Sequence, residues 1–570
     1  MSDVTIVADT VLTGNCHGTW FIARFSKPFH IQPGNPATGG RTTAGPTRQP
    51  AVPPSSIRLD YTTTGEIIDI RTGFSNTSIA AAADNLQQEM PDDDFDGISR
   101  QGKQIWNTLL GRIEIKGGDE AHHRVFYTAL YHSCFMPAVM SDAGESPRRY
   151  TPLYPWDTYR SEHPLITLLD PVAEGEMIAS VLSEYDRTGW LPTGNMLGNH
   201  NVELILDSYI KGVRNFDIAK ACQAIRKSLL DAPYARRDMA LYNSLGYVPA
   251  SRVNSVSQTL EFAYSDWAAA TFLQIAGVSA DSLLKRSYNY EHLYDPATGF
   301  MRAKADNKTF TDGGYCEGTE WTYSWYVPHD VRGLINLMGG ATAFSDKLSE
   351  CFEKGYYVHD NEPPLHYAYL FDFSGQPWKT QEWARHITET SYSDVPGGLP
   401  GNDDLGALSS WYVLSAMGFY PVTPGRMVYE IGSPVFPECI IHLPNGRDFT
   451  IRAAGSSARK KYIRAATLNG QDYQRPWISH NDILAGGSLT LEMAPIPNKS
   501  WGAAPEDAPP SLTIGHPKFT VGSPSVSSPI TDAGQTVEWS CRISNHGTAA
   551  GTLHLDILVD GHPCLSPSVG

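Results

Sequence analysis

From residue 78 to residue 425 apolar residues recur at helical spacing, whereas the flanking segments alternate as strands do. A period of 3.6 buries one stripe of a helix, and a period of two buries one face of a sheet. A chain carrying both patterns in blocks must therefore build separate helical and sheet layers. Ile98, Ile105, Trp106, Leu109, Leu110 and Ile113 mark one helical face, and Asp92, Asp93 and Asp94 before it suit a helix N-terminus. Further helices are expected over 119–136, 171–188, 200–214, 216–229, 258–277, 281–292, 340–356, 377–390 and 404–417. The loops joining them are rich in Gly, Pro, Trp and Asp. Many helices with long polar loops predict an α/α barrel around a central cleft. A loose α-solenoid is the alternative, but no repeat of about 34 or 40 residues supports it.

The pattern divides the chain into four parts: a partial N-terminal β-sandwich over 1–77, the helical domain over 78–425, a β region completing the catalytic unit over 426–502, and a partial β-sandwich module over 511–570. In the first part Ser56–Tyr61 and Glu66–Arg71 read as short strands, and Gln32–Pro54 reads as a long loop or insertion. Leu468-Asn-Gly470 reads as a hairpin turn. Val537, Trp539, Cys541 and Ile543 alternate, as do Leu553, Leu555, Ile557 and Val559.

The net charge of −17 repels nucleic acid and anionic membrane surfaces. No run of 18 apolar residues is present, so no membrane span is expected. The first residues lack a basic start and an apolar stretch, so no signal peptide is visible. None of the eight Cys forms a CxxC pair, which argues against a zinc or thioredoxin-like motif. Most are expected as buried free thiols, with Cys541 and Cys564 able to pair if the protein is exported. The 13 Trp and 28 Tyr suit sugar platforms or a large aromatic core alike.

Four loops gather polar, acidic and aromatic residues: Tyr154–Arg160, Gly318–Trp325, Asn361–Tyr367 and Gly397–Gly406. Each also admits a structural account. Asp403 and Asp404 could simply open a helix, Asp157 could pair with Arg160, Glu320 could be a solvated turn residue, and Asn361-Glu362 could be turn chemistry. Together they fit glycoside hydrolysis, which needs one protonated and one ionised carboxyl on opposite faces of a sugar. Glu320, followed by Trp321, Tyr323 and Trp325, has the desolvating neighbours that raise a carboxyl pKa. Asp404 at a helix N-terminus has surroundings that favour its anion, as a base requires.

At these segments the chain resembles the family-92 glycoside hydrolases, a bacterial group of exo-α-mannosidases. Gly318-Thr-Glu-Trp321, Gly401-Asn-Asp-Asp-Leu-Gly406, Trp156-Asp-Thr158, Asn361-Glu-Pro363 and Gly375-Gln-Pro-Trp-Lys-Thr-Gln381 match family blocks, as do Ala23–Phe29 and Gly418–Pro421. The matches run in order from about residue 20 to about 502.

The resemblance implies an (α/α)6 barrel and calcium-dependent, inverting removal of terminal α-mannose from N-glycans or mannan. It assigns Glu320 as acid and Asp404 as base, with Asn402 beside the base where some members carry Asp. It implies Asn361 as a calcium ligand with Glu362 beside it. It makes Asp157, Arg160, Trp156, Trp321, His366 and Asp403 substrate ligands. The α-1,2 linkage is expected, while other linkages and the oligomeric state stay open. Secretion, the periplasm or the cell surface is implied. The family's first strands, with a Gly-His-Thr-x-Pro-Gly-like stretch, have no counterpart upstream of Val4, so an N-terminally truncated member is expected. That departure and Asn402 motivate a second reading, a glycan-binding protein without turnover. A third is an α/α-barrel glycosidase for another sugar.

Overall fold

A computed structural model describes residues 3–30, 59–92, 94–152, 155–194, 196–230 and 238–513, and backbone strands between 519 and 569. The chain forms two compact units, Met1–Arg112 with Pro137–Pro152, and Ile113–Met136 with Leu153–Gly570.

In the first unit four antiparallel strands, Asp3–Ala8, Val11–Cys16, Thr19–Phe25 and Ile70–Ser75, pair in chain order. Alternation sends Leu12 and Ala23 to one face, where they meet Phe29. It sends Ile22 to the other, where it packs on Ala82 and Leu86 of helix Ile79–Glu89. That contact moves the boundary expected at 77, because this helix covers the sheet and belongs with it. A second helix, Phe95–Leu110, stops at Gly111. Ile113, read from the pattern as the end of its stripe, begins a strand of the other unit instead. The loop expected over 32–54 lies outside the described residues.

The second unit holds the remaining helices and a six-stranded sheet. Its order is Gln471–Asp472, Tyr462–Leu468, Gly487–Ala494, Asp448–Arg452, Glu438–His442 and Ile113–Lys116. Only the Asp448–Arg452 and Gly487–Ala494 pair is parallel. Asn469 and Gly470, at φ 52° and 81°, make the expected hairpin turn between the first two strands of that order. Beyond residue 513 the described strands pair antiparallel, Phe519–Val521 with Ile543–Asn545 and Ile557–Val559 with His562–Leu565 among them. Cys541 and the side chain of Cys564 lie outside the described residues. Cys351 and Cys439 are buried free thiols, and Cys222 and Cys316 are half-buried ones.

Helices Pro171–Thr188 and Pro377–Thr390 fall on their expected bounds. Glu162–Leu169, Met239–Leu245 and Val331–Leu337 were not anticipated. The first and last of these are largely buried, so no apolar stripe marks them. Ser255–Ile275 and Ala407–Met417 are buried on nearly every side and form the centre of the unit. Among the described residues no helix is long and apolar enough to cross a membrane.

Candidate active site

The helix expected to begin at 404 begins at Ala407, because Asp404, Leu405 and Gly406 all take left-handed backbone angles of 43°, 62° and 95°. A leucine in that region costs on the order of 1 kcal/mol, so the turn must be held from outside. Gly406 lies over the buried Glu162, where an added Cβ would come within 2.3 Å of a carboxyl oxygen. A Cβ on Gly401 would come within 2.3 Å of the Asp360 carbonyl. Glycine at 401 thus lets this loop touch the one carrying Asn361 and Glu362. Asp403, not Asp404, serves the helix: its carboxylate accepts from the Ser409 N–H at 2.8 Å and the Ser409 hydroxyl at 2.9 Å. This overturns the expected surroundings of Asp404. Burial raises its pKa, a hydrogen bond from Glu362 opposes the rise, and the charges of Glu317 and Asp403 add to it.

Asp404 belongs to a group of acids from separate loops. Asp157, on the short helix Pro155–Thr158, is pushed up to about 7 by burial and then by Asp404, with Arg160 and His200 opposing and Glu317 adding. Glu362 is fully buried, and neither carboxylate oxygen has a donor. Burial and the charges of Asp157 and Asp404 lift it well above the usual carboxylate range. Protonated, Glu362 can donate to Asp404; ionised, it is unsatisfied. An oxygen-rich, over-negative pocket with orphaned oxygens suits a hard cation. Among the described residues no three His, Cys, Asp or Glu side chains form a metal cage. A cation there would therefore need amide or carbonyl oxygens as well, and Asn361 offers one.

Arg160 does not pair with Asp157. Its Nε donates to the Trp156 carbonyl at 3.1 Å, and its Nη2 lies 3.7 Å from Glu261. The guanidinium carbon sits 4.8 Å from the ring centres of Trp156 and Tyr159 and 5.0 Å from that of Tyr326. Glu261, on the central helix, also accepts from Trp156 Nε1 at 2.8 Å and the Tyr326 hydroxyl at 2.6 Å, and lies 2.9 Å from His200 Nε2. Burial opposes the charge of His200, but Glu203 and Glu261 outweigh it and lift the pKa to about 9. Trp156 is thus buried and spends its N–H inside the protein, which suits a support better than a sugar platform. His366 is also buried, 3.3 Å from the Trp325 carbonyl, and burial with the Arg160 charge keeps it neutral with a pKa of about 3.

Glu320 departs from expectation. It opens the short helix Glu320–Tyr323, half-buried, and its charge acts on Tyr315. The aromatics that follow it have partners of their own. Trp321 stacks on Tyr356, Tyr323 on Tyr315, and Trp325 meets Phe344. The residue three positions earlier, Glu317, is the one whose charge reaches Asp157 and Asp404. It takes a left-handed φ of 50°, and Asn361 Nδ2 donates to its Oε2 at 3.2 Å. Sequence reasoning missed it. The signal available was a second acid in the same loop, just outside the helix cap Thr319 rather than within the helix. Asn402 is exposed.

The model of the glycosyl hydrolase family 92 catalytic domain matches residues 81–495. The chain belongs to glycosyl hydrolase family 92. Among solved family-92 structures, an inverting mannosidase from Bacteroides thetaiotaomicron is 32% identical with a TM-score of 0.80, covering 90% of this chain and 79% of its own. An α-mannosidase from the same organism is 30% identical with a TM-score of 0.81, covering 90% and 76%. That enzyme has also been solved with mannoimidazole bound. A protein of the fungus Arthroderma benhamiae, described as an uncharacterized secreted glycosidase, is 28% identical over 518 residues. The match spans 79% of this chain and 63% of that relative. Of the residues expected at a family-92 site, Asp157, Asn361, Glu362, Asp403 and Asp404 gather in one place, Glu317 joins them, and Glu320 does not.

Proposed function

We propose that this family-92 chain is an exo-α-mannosidase that removes terminal α-mannosyl residues from N-glycans or mannan with inversion. The convergence of Asp157, Glu317, Glu362 and Asp404 from four loops carries this reading. Glu317, rather than Glu320, is the proton donor. It borders the open cleft, and Asn361 holds one of its oxygens, leaving the other for the glycosidic oxygen. Asp404 is the base that takes a proton from water, and the charge of Glu317 acts on it. Asp157 and Arg160 bind the terminal sugar. The rings of Trp156, Tyr159 and Tyr326 hold the Arg160 guanidinium, and Trp321 borders the cleft.

Calcium would be held by Asn361 and Glu362 with further oxygens, and would supply a Lewis acid for the hydroxyls of the terminal mannose. The negative potential of the acids and the donor-free oxygens of Glu362 support it. The helices of the second unit are read as an (α/α)6 barrel whose loops carry the site. Action outside the cell extends the reading from the relative described as secreted, and α-1,2 linkages are proposed as the first substrates.

The test is a yeast mannan digest, with calcium and with a chelator, followed by proton NMR. Release of β-mannose as the first anomer, lost on chelation, is the expected result. Initial release of α-mannose would sink inversion, and failure to cleave mannan or any α-mannoside would sink the enzyme.

A further inference from the structure

The left-handed turn through Asp404, Leu405 and Gly406 rests on a second acid that no sugar can touch. Glu162, the first residue of helix Glu162–Leu169, has no exposed surface. A Cβ on Gly406 would come within 2.3 Å of Glu162 Oε2 and 3.3 Å of Ser133 Cα, so the turn sits directly on that carboxyl. The neighbouring hydroxyls tie the same two elements together. Ser161 Oγ donates to the Ala407 carbonyl at 2.8 Å, and Ser410 Oγ lies 2.6 Å from the Gly406 carbonyl and 2.8 Å from Ser161 Oγ. Neither oxygen of Glu162 has a donor. A leucine would fill the same hollow without burying a polar group, so packing alone does not account for a carboxyl here.

We propose that Glu162 is a positioning residue for the base: its carboxyl end holds the turn at Gly406 and so fixes where Asp404 points. The inference rests on the hydrolase reading above. Burial and the charges of Asp403 and Glu174 lift the Glu162 pKa well above the usual carboxylate range, with the Ser410 hydroxyl opposing, so the group is neutral. A neutral carboxyl has one O–H to place. The Ser410 oxygen accepts it, while the Ser410 hydrogen goes to the Gly406 carbonyl. This chain of two hydrogen bonds clamps a turn in which Leu405 takes a left-handed φ of 62°. Asp404 lies two residues from the clamp. A base displaced by about 1 Å can lose on the order of 100-fold in rate, so the clamp acts on turnover rather than on sugar binding.

Three variants of the full chain test this on an α-mannobiose and on α-mannosyl fluoride, since the base serves both. Glu162→Leu keeps the bulk and removes the polar end. Its kcat should fall roughly 10-fold or more on both substrates with KM within about twofold, while its melting temperature does not drop. Glu162→Gln keeps the reach and a donor and should stay within about threefold of wild type. Glu162→Asp keeps the acid but withdraws it from Gly406, and should lose kcat in the same manner as Glu162→Leu to a smaller extent. If Glu162→Leu fails to fold, the order of Glu162→Gln above Glu162→Asp decides. Wild-type kcat in Glu162→Leu, a loss confined to the mannobiose, or Glu162→Asp more active than Glu162→Gln would overturn the positioning role. A wild type inactive on both substrates would instead defeat the hydrolase reading, and the role with it.

Discussion

Asn361 donates its Nδ2 to Glu317 Oε2 at 3.2 Å. One amide thus ties the loop expected to hold a metal to the acid that borders the cleft, while its carbonyl end remains available to a cation. Binding of the proposed cation and placement of the acid would be coupled through that side chain, and so are the first two predictions.

Glu317→Gln should lower kcat on an α-mannobiose by a factor of roughly 10²–10⁴, with a much smaller loss on α-mannosyl fluoride, which needs no protonated leaving group. Asp404→Asn should lose both activities to a similar extent. Glu320→Gln should stay within about tenfold of wild type on either substrate. A reversed order, with Glu320→Gln the more damaging and rescued by the fluoride, would return the proton to Glu320.

Chelation should abolish turnover, and added calcium should restore it. Asn361→Ala should weaken the calcium dependence by roughly 10-fold or more and also reduce kcat, since it frees Glu317 as well. Full activity of chelated protein would remove the metal from the reading while leaving the acids.

Glu261→Gln preserves shape but leaves Arg160 and His200 as buried cations short of an anion. It should destabilise by about 3–5 kcal/mol, read from the denaturant midpoint. Trp156→Phe removes one hydrogen bond to the same carboxylate and should cost only about 1 kcal/mol. If the two variants were equally stable, Glu261 would not be the hub of this wall.

Two histidines of the wall bound the stable pH range from opposite sides. His200 is raised to about 9. Its contribution is complete below the unfolded value of about 6.5 and is lost as pH climbs from there to 9. His366 is lowered to about 3, so the unfolded chain binds the extra proton below about pH 6.5. Stability from this group falls as pH drops from about 6.5 toward 3. The contributions of these two histidines are both full near pH 6.5. His200→Asn should flatten the alkaline limb, and His366→Asn the acid limb. An unchanged alkaline limb in His200→Asn would show that its charge is not held by Glu203 and Glu261.

The blocks of apolar periodicity determined that helices lie between sheet segments, and short motifs determined which four loops meet at the site. Both signals are local, so one sequence carries them. Asp403 and Asp404 are chemically alike and adjacent, and only the left-handed turn through Gly406 decides that Asp403 caps the helix while Asp404 faces the acids. Glu317 and Glu320 share one loop, and only the start of the helix after Thr319 decides which reaches Asp404. The burial that shifts Asp157, Glu362 and His200 comes from elements far apart in the chain. Desolvation and charge depend on everything within a few ångströms, and that neighbourhood exists only once the loops have closed around it.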